Sequence, residues 1–186
     1  TYQPVSDPAA LKAVWQRYGV EPPSIFYLGN FKPHKNVQAL LRAFARIGEG
    51  VQARYQLVLG GQPDRWREEL RQFARELGVE GLTCFIGQVA EEDMPALYSA
   101  ADVFVFPSLY EGFGLPPLEA MACGTAVVAS NRTSIPEVVG EAGCLVDPED
   151  IVALTAAIRR VLEDEKWRSE LEKQGLERAG LFRSTD

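Results

Sequence analysis

A chain of 186 residues, 46% apolar and 24% charged, is long enough to bury one sizeable core, hiding roughly 70% of the surface that its unfolded form exposes. Its formal charge of -7, from 26 acidic and 19 basic residues without a dense Lys/Arg run, disfavours general affinity for nucleic acid or an anionic membrane. It has no apolar stretch of about 20 residues and no cleavable leader, so a cytoplasmic setting is expected. Cys84, Cys123 and Cys144, odd in number, without metal-ligand spacing and set among apolar residues, read as reduced core thiols.

The chain opens with TYQPVSDPAA, polar and Pro-rich, where Asp7 and Pro8 suit the N-cap and first turn of a helix. Residues 1–20 are therefore expected to form a linker and first helix. Short apolar runs follow: SIFYL from residue 24, QLVL from 56, LTCFI from 82, VFVF from 103, AVVA from 126 and CLV from 144. Their length and content read as buried strands. Between them Val37, Leu40, Leu41, Phe44 and Ile47 share one helical face, as do Trp66, Leu70, Phe73 and Leu77, and then Met94, Leu97, Tyr98 and Ala101. Two more helices are predicted over 149–163 and 166–179.

Strand and helix alternating through short Gly- or Pro-containing joints predict an α/β fold: a Rossmann-like, doubly wound parallel sheet of about six strands with helices on both faces. Residues 21–180 are assigned to it, and LFRSTD over 181–186 is expected to be a tail cut short. In such sheets ligands bind beyond the carboxyl ends of the strands, where strand order reverses, so chemistry is sought in the loops that follow strands.

The first such loop, GNFKPHKN, turns over Gly29 to Pro33, with Lys35 or Asn36 beginning the next helix. Lys32, His34 and Lys35 gather positive charge, which in a net negative chain suggests neutralisation of a phosphate; a solvated basic turn is the plain alternative. His34 is the sole histidine, and nothing pairs it with a nucleophile or an orienting acid, so no catalytic role is expected of it. Without a His, Cys or Asp cluster at ligand spacing, no metal and no other cofactor is expected.

The loop after VFVF leads into EGFGLPPLE, residues 111–119. Pro116 and Pro117 are preorganised for a first helical turn, leaving the amides of Phe113, Gly114, Leu115 and Leu118 as predicted free donors, with Gly112 and Gly114 permitting close backbone approach. That is an anion cradle at the positive end of a helix. Glu111 before the turn and Glu119 beyond it are placed to accept hydroxyl hydrogens around a phosphate, which fits a sugar-bearing phosphate. Spacing leaves open a glycosidase-like acid and base pair, and also plain helix-dipole complementarity at Glu119 with Glu111 solvated. SIPEVV from Ser134 reads as a capping box, and the turn FIGQVAEED offers backbone groups of Ile86, Gly87 and Val89 to a planar base.

Taken together, GNFKPHKN, FIGQVAEEDMPALYSAADVFVFPSLYEGFGLPPLEAMACGTAVVAS and SIPEVVG with GCLVDPED resemble the carboxyl-terminal half of retaining GT-B fold glycosyltransferases of group 1, over about residues 20–180. The lysine loop looks like that of some mannosyltransferase-like members. The resemblance implies that residues 21–180 bind a nucleotide diphosphate sugar without metal, in a cleft completed by an amino-terminal acceptor domain absent from this chain. It implies Lys35 on the donor diphosphate and Glu111 near the donor sugar as the catalytic residues, Glu119 on the ribose hydroxyls, and the amides of Gly114 and Leu115 on the phosphate, with Gly112 and Phe113 beside them in the donor site. It also implies base contacts from Ile86, Gly87 and Val89, with Gly29 and Asn30 beside the donor. Many members carry arginine where Asn30 stands, so either Lys32 or Arg132 compensates or the leaving group is stabilised with less charge.

The implied partners are a nucleotide sugar and the acceptor domain, with no nucleic acid and no direct membrane segment; a peripheral membrane role is left to the missing domain. Rival readings are half of a nucleotide-sugar epimerase or hydrolase, and a non-catalytic nucleotide-binding module. By the favoured reading the chain alone transfers no sugar, and turnover by the purified chain with donor and acceptor would overturn that expectation.

Overall fold

Asp7 caps the first helix as its type predicts: its carboxylate accepts from the Ala9 amide at 3.1 Å and Pro8 opens α1 (Pro8–Tyr18). The structure, a computed structural model, describes residues 1–183. Beyond α1 come β1 (Ser24–Leu28), α2 (Val37–Arg46), α3 (Glu49–Gln52), β2 (Gln56–Gly60), α4 (Arg65–Glu76), β3 (Thr83–Gly87), α5 (Met94–Ala100) and β4 (Val103–Phe106). The chain continues through α6 (Leu115–Ala122), β5 (Val127–Ser130), α7 (Ile135–Val139), β6 (Cys144–Val146), α8 (Ile151–Glu163) and α9 (Glu165–Arg183). All six predicted strands form, each within a residue or so of the apolar run that marked it. The four-residue α3 was not anticipated, because it is too short to show a period. The expected tail at 181–186 is helical through Arg183, and its last three positions lie outside the described residues.

The strands form one parallel sheet in the order β3-β2-β1-β4-β5-β6, with β1 between β2 and β4. β1, β4 and β5 are buried along their whole length, the mark of a sheet covered on both faces. α2 packs against α4 and α8, while α1, α5, α6 and α9 pack in series, giving helical layers on either side. Leu40, Leu41 and Phe44 of α2 are fully buried, each contributing at most about 1.5–3 kcal/mol of apolar transfer.

The loop after β1 differs from its expected form. A single 3-10 turn, Pro33–Lys35, precedes α2, and Asn36 between them is left-handed at φ 59°, a conformation Asn tolerates better than most residues. Its side-chain amide donates to the carbonyls of Pro107 at 3.1 Å and Pro148 at 2.9 Å. One side chain thus ties the loops after β1, β4 and β6. Asn36→Ala removes both bonds and keeps the strained φ, and is expected to lower unfolding stability by about 2–4 kcal/mol in urea denaturation. A change under about 0.5 kcal/mol, the scale of an ordinary surface substitution, would show that the tie is dispensable.

Candidate functional site

Because β1 and β4 are neighbours while the strands following them in sequence lie on opposite sides, the carboxyl edge between them is the switch point of the sheet, the place where ligands of such folds commonly bind. Lys35, from the loop after β1, donates to Glu111 Oε1, from the loop after β4. Only 12% of the lysine side chain and 13% of the glutamate's are exposed. The ammonium also lies 5.4 Å from the centre of the Phe106 ring. The two residue types picked out separately in the sequence are therefore one ion pair.

The other loop residues act mainly through backbone. The His34 carbonyl accepts from the Leu109 amide at 2.8 Å and from Ser108 Oγ at 3.3 Å, while His34 itself is exposed. The Asn30 carbonyl accepts from the buried Tyr27 hydroxyl at 2.6 Å, and Asn30 Oδ1 accepts from the Lys32 amide at 3.1 Å. Asn30 thus shapes the turn. Of the two cations weighed as substitutes for the missing arginine, Lys32 is exposed, whereas Arg132 is engaged by Asp147 at 3.0 Å and Glu149 at 2.7 Å.

At the start of α6, Gly114 has φ 84° as N-cap, a conformation that requires glycine, and Leu115 is the first helical residue. Phe113 and Leu115 are exposed. Leu118 corrects one expectation: its amide donates to the Gly114 carbonyl at 3.4 Å, since it is the first helical N–H with a carbonyl four residues back, so the predicted free donors reduce to Phe113, Gly114 and Leu115. The capping box at Ser134 is corrected too. Ser134 makes no cap; its hydroxyl donates to the Glu111 carbonyl at 3.0 Å, while the Glu111 amide donates to Thr133 Oγ1 at 3.1 Å. The Glu111 backbone offers both a donor and an acceptor that must be met, and the β5–α7 turn meets them.

Glu119 lies one turn into α6 and is half-buried. Its Oε2 accepts from Tyr98 Oη at 2.8 Å, and Tyr98 itself is fully buried. The carboxylate borders a cavity of about 230 Å³ lined by Tyr2, Leu115, Leu118, Phe182 and Arg183 among others. Burial raises the Glu119 pKa above its ordinary 4.5, only partly offset by the Tyr98 hydrogen bond and the nearby Tyr2 hydroxyl. Burial and the charge of Glu119 in turn push the Tyr2 phenol up to about 12.

Ile86, Gly87 and Val89 lie where β3 meets the carboxyl edge. The Gly87 carbonyl is taken by the Gly61 amide at 2.9 Å, and Val89 is buried. A Cβ added at Gly61 would sit 1.9 Å from the Gly29 carbonyl oxygen, so the turns after β1, β2 and β3 close on one another. Reading the sequence missed Tyr98, Thr133 and the linking amide of Asn36. Tyr98 carried only a helix-face signal, and Thr133, at φ 55°, carried none. Among the described residues no three His, Cys, Asp or Glu side chains gather to hold a metal, and no helix is long and apolar enough to cross a membrane.

A six-stranded, Rossmann-like parallel sheet with helices on both faces has the form of one half of a GT-B glycosyltransferase. The family model described as "Glycosyl transferases group 1" matches residues 16–178, and the chain belongs to that family. It is 44% identical over 169 residues to an O-antigen chain mannosyltransferase B of Escherichia coli, covering 90% of this chain and 42% of that protein. Among solved structures it resembles the carboxyl-terminal domain of a group 1 family protein, LpcC of Francisella tularensis, with 26% identity, TM-score 0.83 and coverage of 97% of this chain and 94% of that one. It also resembles Anabaena HepE in complex with UDP and glucose, with 25% identity, TM-score 0.84 and coverage of 95% and 48%. The chain therefore spans less than half the length of that mannosyltransferase and of HepE.

The raised pKa of Glu119 makes a stability prediction. The native state binds its proton more tightly than the unfolded chain does, so this contribution is complete below pH 4.5 and is lost as pH rises through the folded value. Glu119→Gln keeps an acceptor for Tyr98 and removes the buried charge. It is expected to raise the urea midpoint at about pH 7 and to converge with the parent below the ordinary carboxylate range. A midpoint unchanged or lowered at neutral pH would show that Glu119 does not oppose folding.

Proposed function

We propose that this chain is the donor-binding half of a retaining, metal-independent glycosyltransferase that moves a hexosyl group, with mannose the first candidate, from a nucleotide diphosphate sugar to an acceptor hydroxyl. The observation that carries this reading is the Lys35–Glu111 pair, brought together from two loops at the switch point beside the start of α6. In a chain of net charge -7, an anion must be met locally, and the Lys35 ammonium with the amides of Phe113, Gly114 and Leu115 forms a preorganised cradle that Gly112 lets an anion approach closely. Such donors stabilise a departing diphosphate, each contributing about 3 kcal/mol or more.

Glu111, freed from Lys35 as the diphosphate takes over the ammonium, faces the donor sugar. Glu119, its Oε2 held by Tyr98, presents its other oxygen to ribose hydroxyls, and backbone groups of Ile86, Gly87 and Val89 meet the base. Gly29 and Asn30 let the chain turn close to the donor. With no arginine at Asn30 and Arg132 tied to two acids, the diphosphate is held with less charge, Lys32 being the cation at hand. The acceptor belongs to the amino-terminal half of the whole protein. The named mannosyltransferase relative and the HepE complex with UDP and glucose support the substrate class.

The test is thermal stabilisation and calorimetric titration with UDP, GDP and ADP, with and without EDTA. One diphosphate is expected to bind equally with and without EDTA, adding roughly 2.7 kcal/mol at about a hundred times its dissociation constant. Lys35→Ala is expected to weaken it about 10- to 100-fold, the value of a charge-assisted bond, and Glu111→Ala to weaken the intact nucleotide sugar more than the bare diphosphate. No binding by the parent, or unchanged affinity in Lys35→Ala, would overturn the donor-site assignment and leave a non-catalytic module.

A further inference from the structure

Asp93 is a buried carboxylate that none of the preceding chemistry uses. It ends the 3-10 turn Glu91–Asp93, directly after the Ile86–Val89 segment. Its side chain is 7% exposed, and both oxygens are held from α1: Arg17 Nη1 donates to Oδ1 at 2.6 Å and Tyr18 Oη donates to Oδ2 at 2.7 Å. The same Tyr18 oxygen accepts from the Ala90 amide at 3.1 Å. One phenol therefore joins the turn's backbone to the carboxylate of its last residue, and the Asp93 amide closes the turn on the Ala90 carbonyl at 2.9 Å.

Burying a carboxylate opposes its ionisation, yet the bonds from Tyr18 and Arg17 hold Asp93 below the ordinary range against that burial. An apolar side chain of similar volume would commonly stabilise such a site as well or better. What an apolar residue would not supply is direction: two bonds to fixed donors on a helix set where the turn sits. Ala90 is exposed and Val89 buried, so side-chain packing alone anchors the turn at only one residue.

We propose that Asp93, clamped by Arg17 and Tyr18, is a positioning residue for nucleobase recognition, holding the backbone of residues 87–90 in the orientation that discriminates one base from another. The inference rests on the donor-site reading, because it takes that backbone as the base contact. α1 is thereby part of the binding site's scaffold rather than a bystander. Backbone recognition is sensitive to such support, since a displacement of about 1 Å misaligns a donor or acceptor.

The experiment titrates the purified chain calorimetrically with GDP, UDP, ADP and inorganic pyrophosphate, in the parent and in Tyr18→Phe, Asp93→Asn and Arg17→Met. Pyrophosphate reads the Lys35 and α6 cradle alone, whereas the nucleotides add the base. In Tyr18→Phe the best-bound nucleotide is expected to lose about tenfold in affinity, its advantage over the other two narrowing in step, while pyrophosphate changes by less than about twofold. Arg17→Met, which alters a largely exposed side chain and is expected to fold, shows the same pattern to a smaller degree. Unchanged nucleotide affinities and ranking in natively folded variants overturn the proposal, as does an equal loss for pyrophosphate, which marks general loosening. Should the parent bind no nucleotide, the donor-site reading falls first and this inference with it; a parent that discriminates and variants that discriminate equally sink only the clamp.

Discussion

The site depends on a constraint of topology: β1 lies between β2 and β4 in a sheet whose strands all run the same way. A parallel neighbour is reached only by crossing over the sheet, so the chain leaves β1 toward one side and leaves β4 toward the other. The loops that follow the two strands are instead joined by hydrogen bonds, the His34 carbonyl accepting from the Leu109 amide and from Ser108 Oγ. Side chains from the two loops meet there, and Lys35 and Glu111 form their ion pair. Asn36 then secures the arrangement by tying the loop after β1 to those after β4 and β6.

The electrostatics follow from that geometry. A protein with a net negative charge repels anions in general, so an anion is held only where local donors outweigh the field. Glu111 keeps the sparsely exposed Lys35 ammonium paired, since an unpaired buried charge is costly. Glu119 shows the opposite tension: burial opposes its ionisation, and Tyr98 and Tyr2 only partly offset this. Such a carboxylate opposes folding at neutral pH, and perturbed groups of this kind are enriched at functional sites in proteins generally.

Legibility in the sequence divides by the range of the interactions involved. The strands SIFYL and VFVF were readable because burial on both faces leaves near-continuous apolar runs, and α2 and α4 because their apolar residues recur with the helical period. Asp7 and Pro8 announced α1 because capping is settled within a few residues. The same local logic failed at Ser134, where a capping pattern was present but a carbonyl from a loop 23 residues away took the hydroxyl. It failed again at Leu118, whose amide found the Gly114 carbonyl inside its own helix.

By itself, then, the sequence determined the element types, the parallel sheet, and the candidacy of Lys35, Glu111 and Glu119, because periodicity, turn chemistry and the charge around a helix start act over a few residues. Only the tertiary structure decided that Lys35 and Glu111 are one pair, that Tyr98 aims Glu119, and that Arg17 and Tyr18 hold the turn ending at Asp93. Partners separated by 76, 21 and 75 positions leave no mark in local spacing. They meet because the strand order places the ends of particular loops and helices side by side, and that order arises from packing the whole chain around one core.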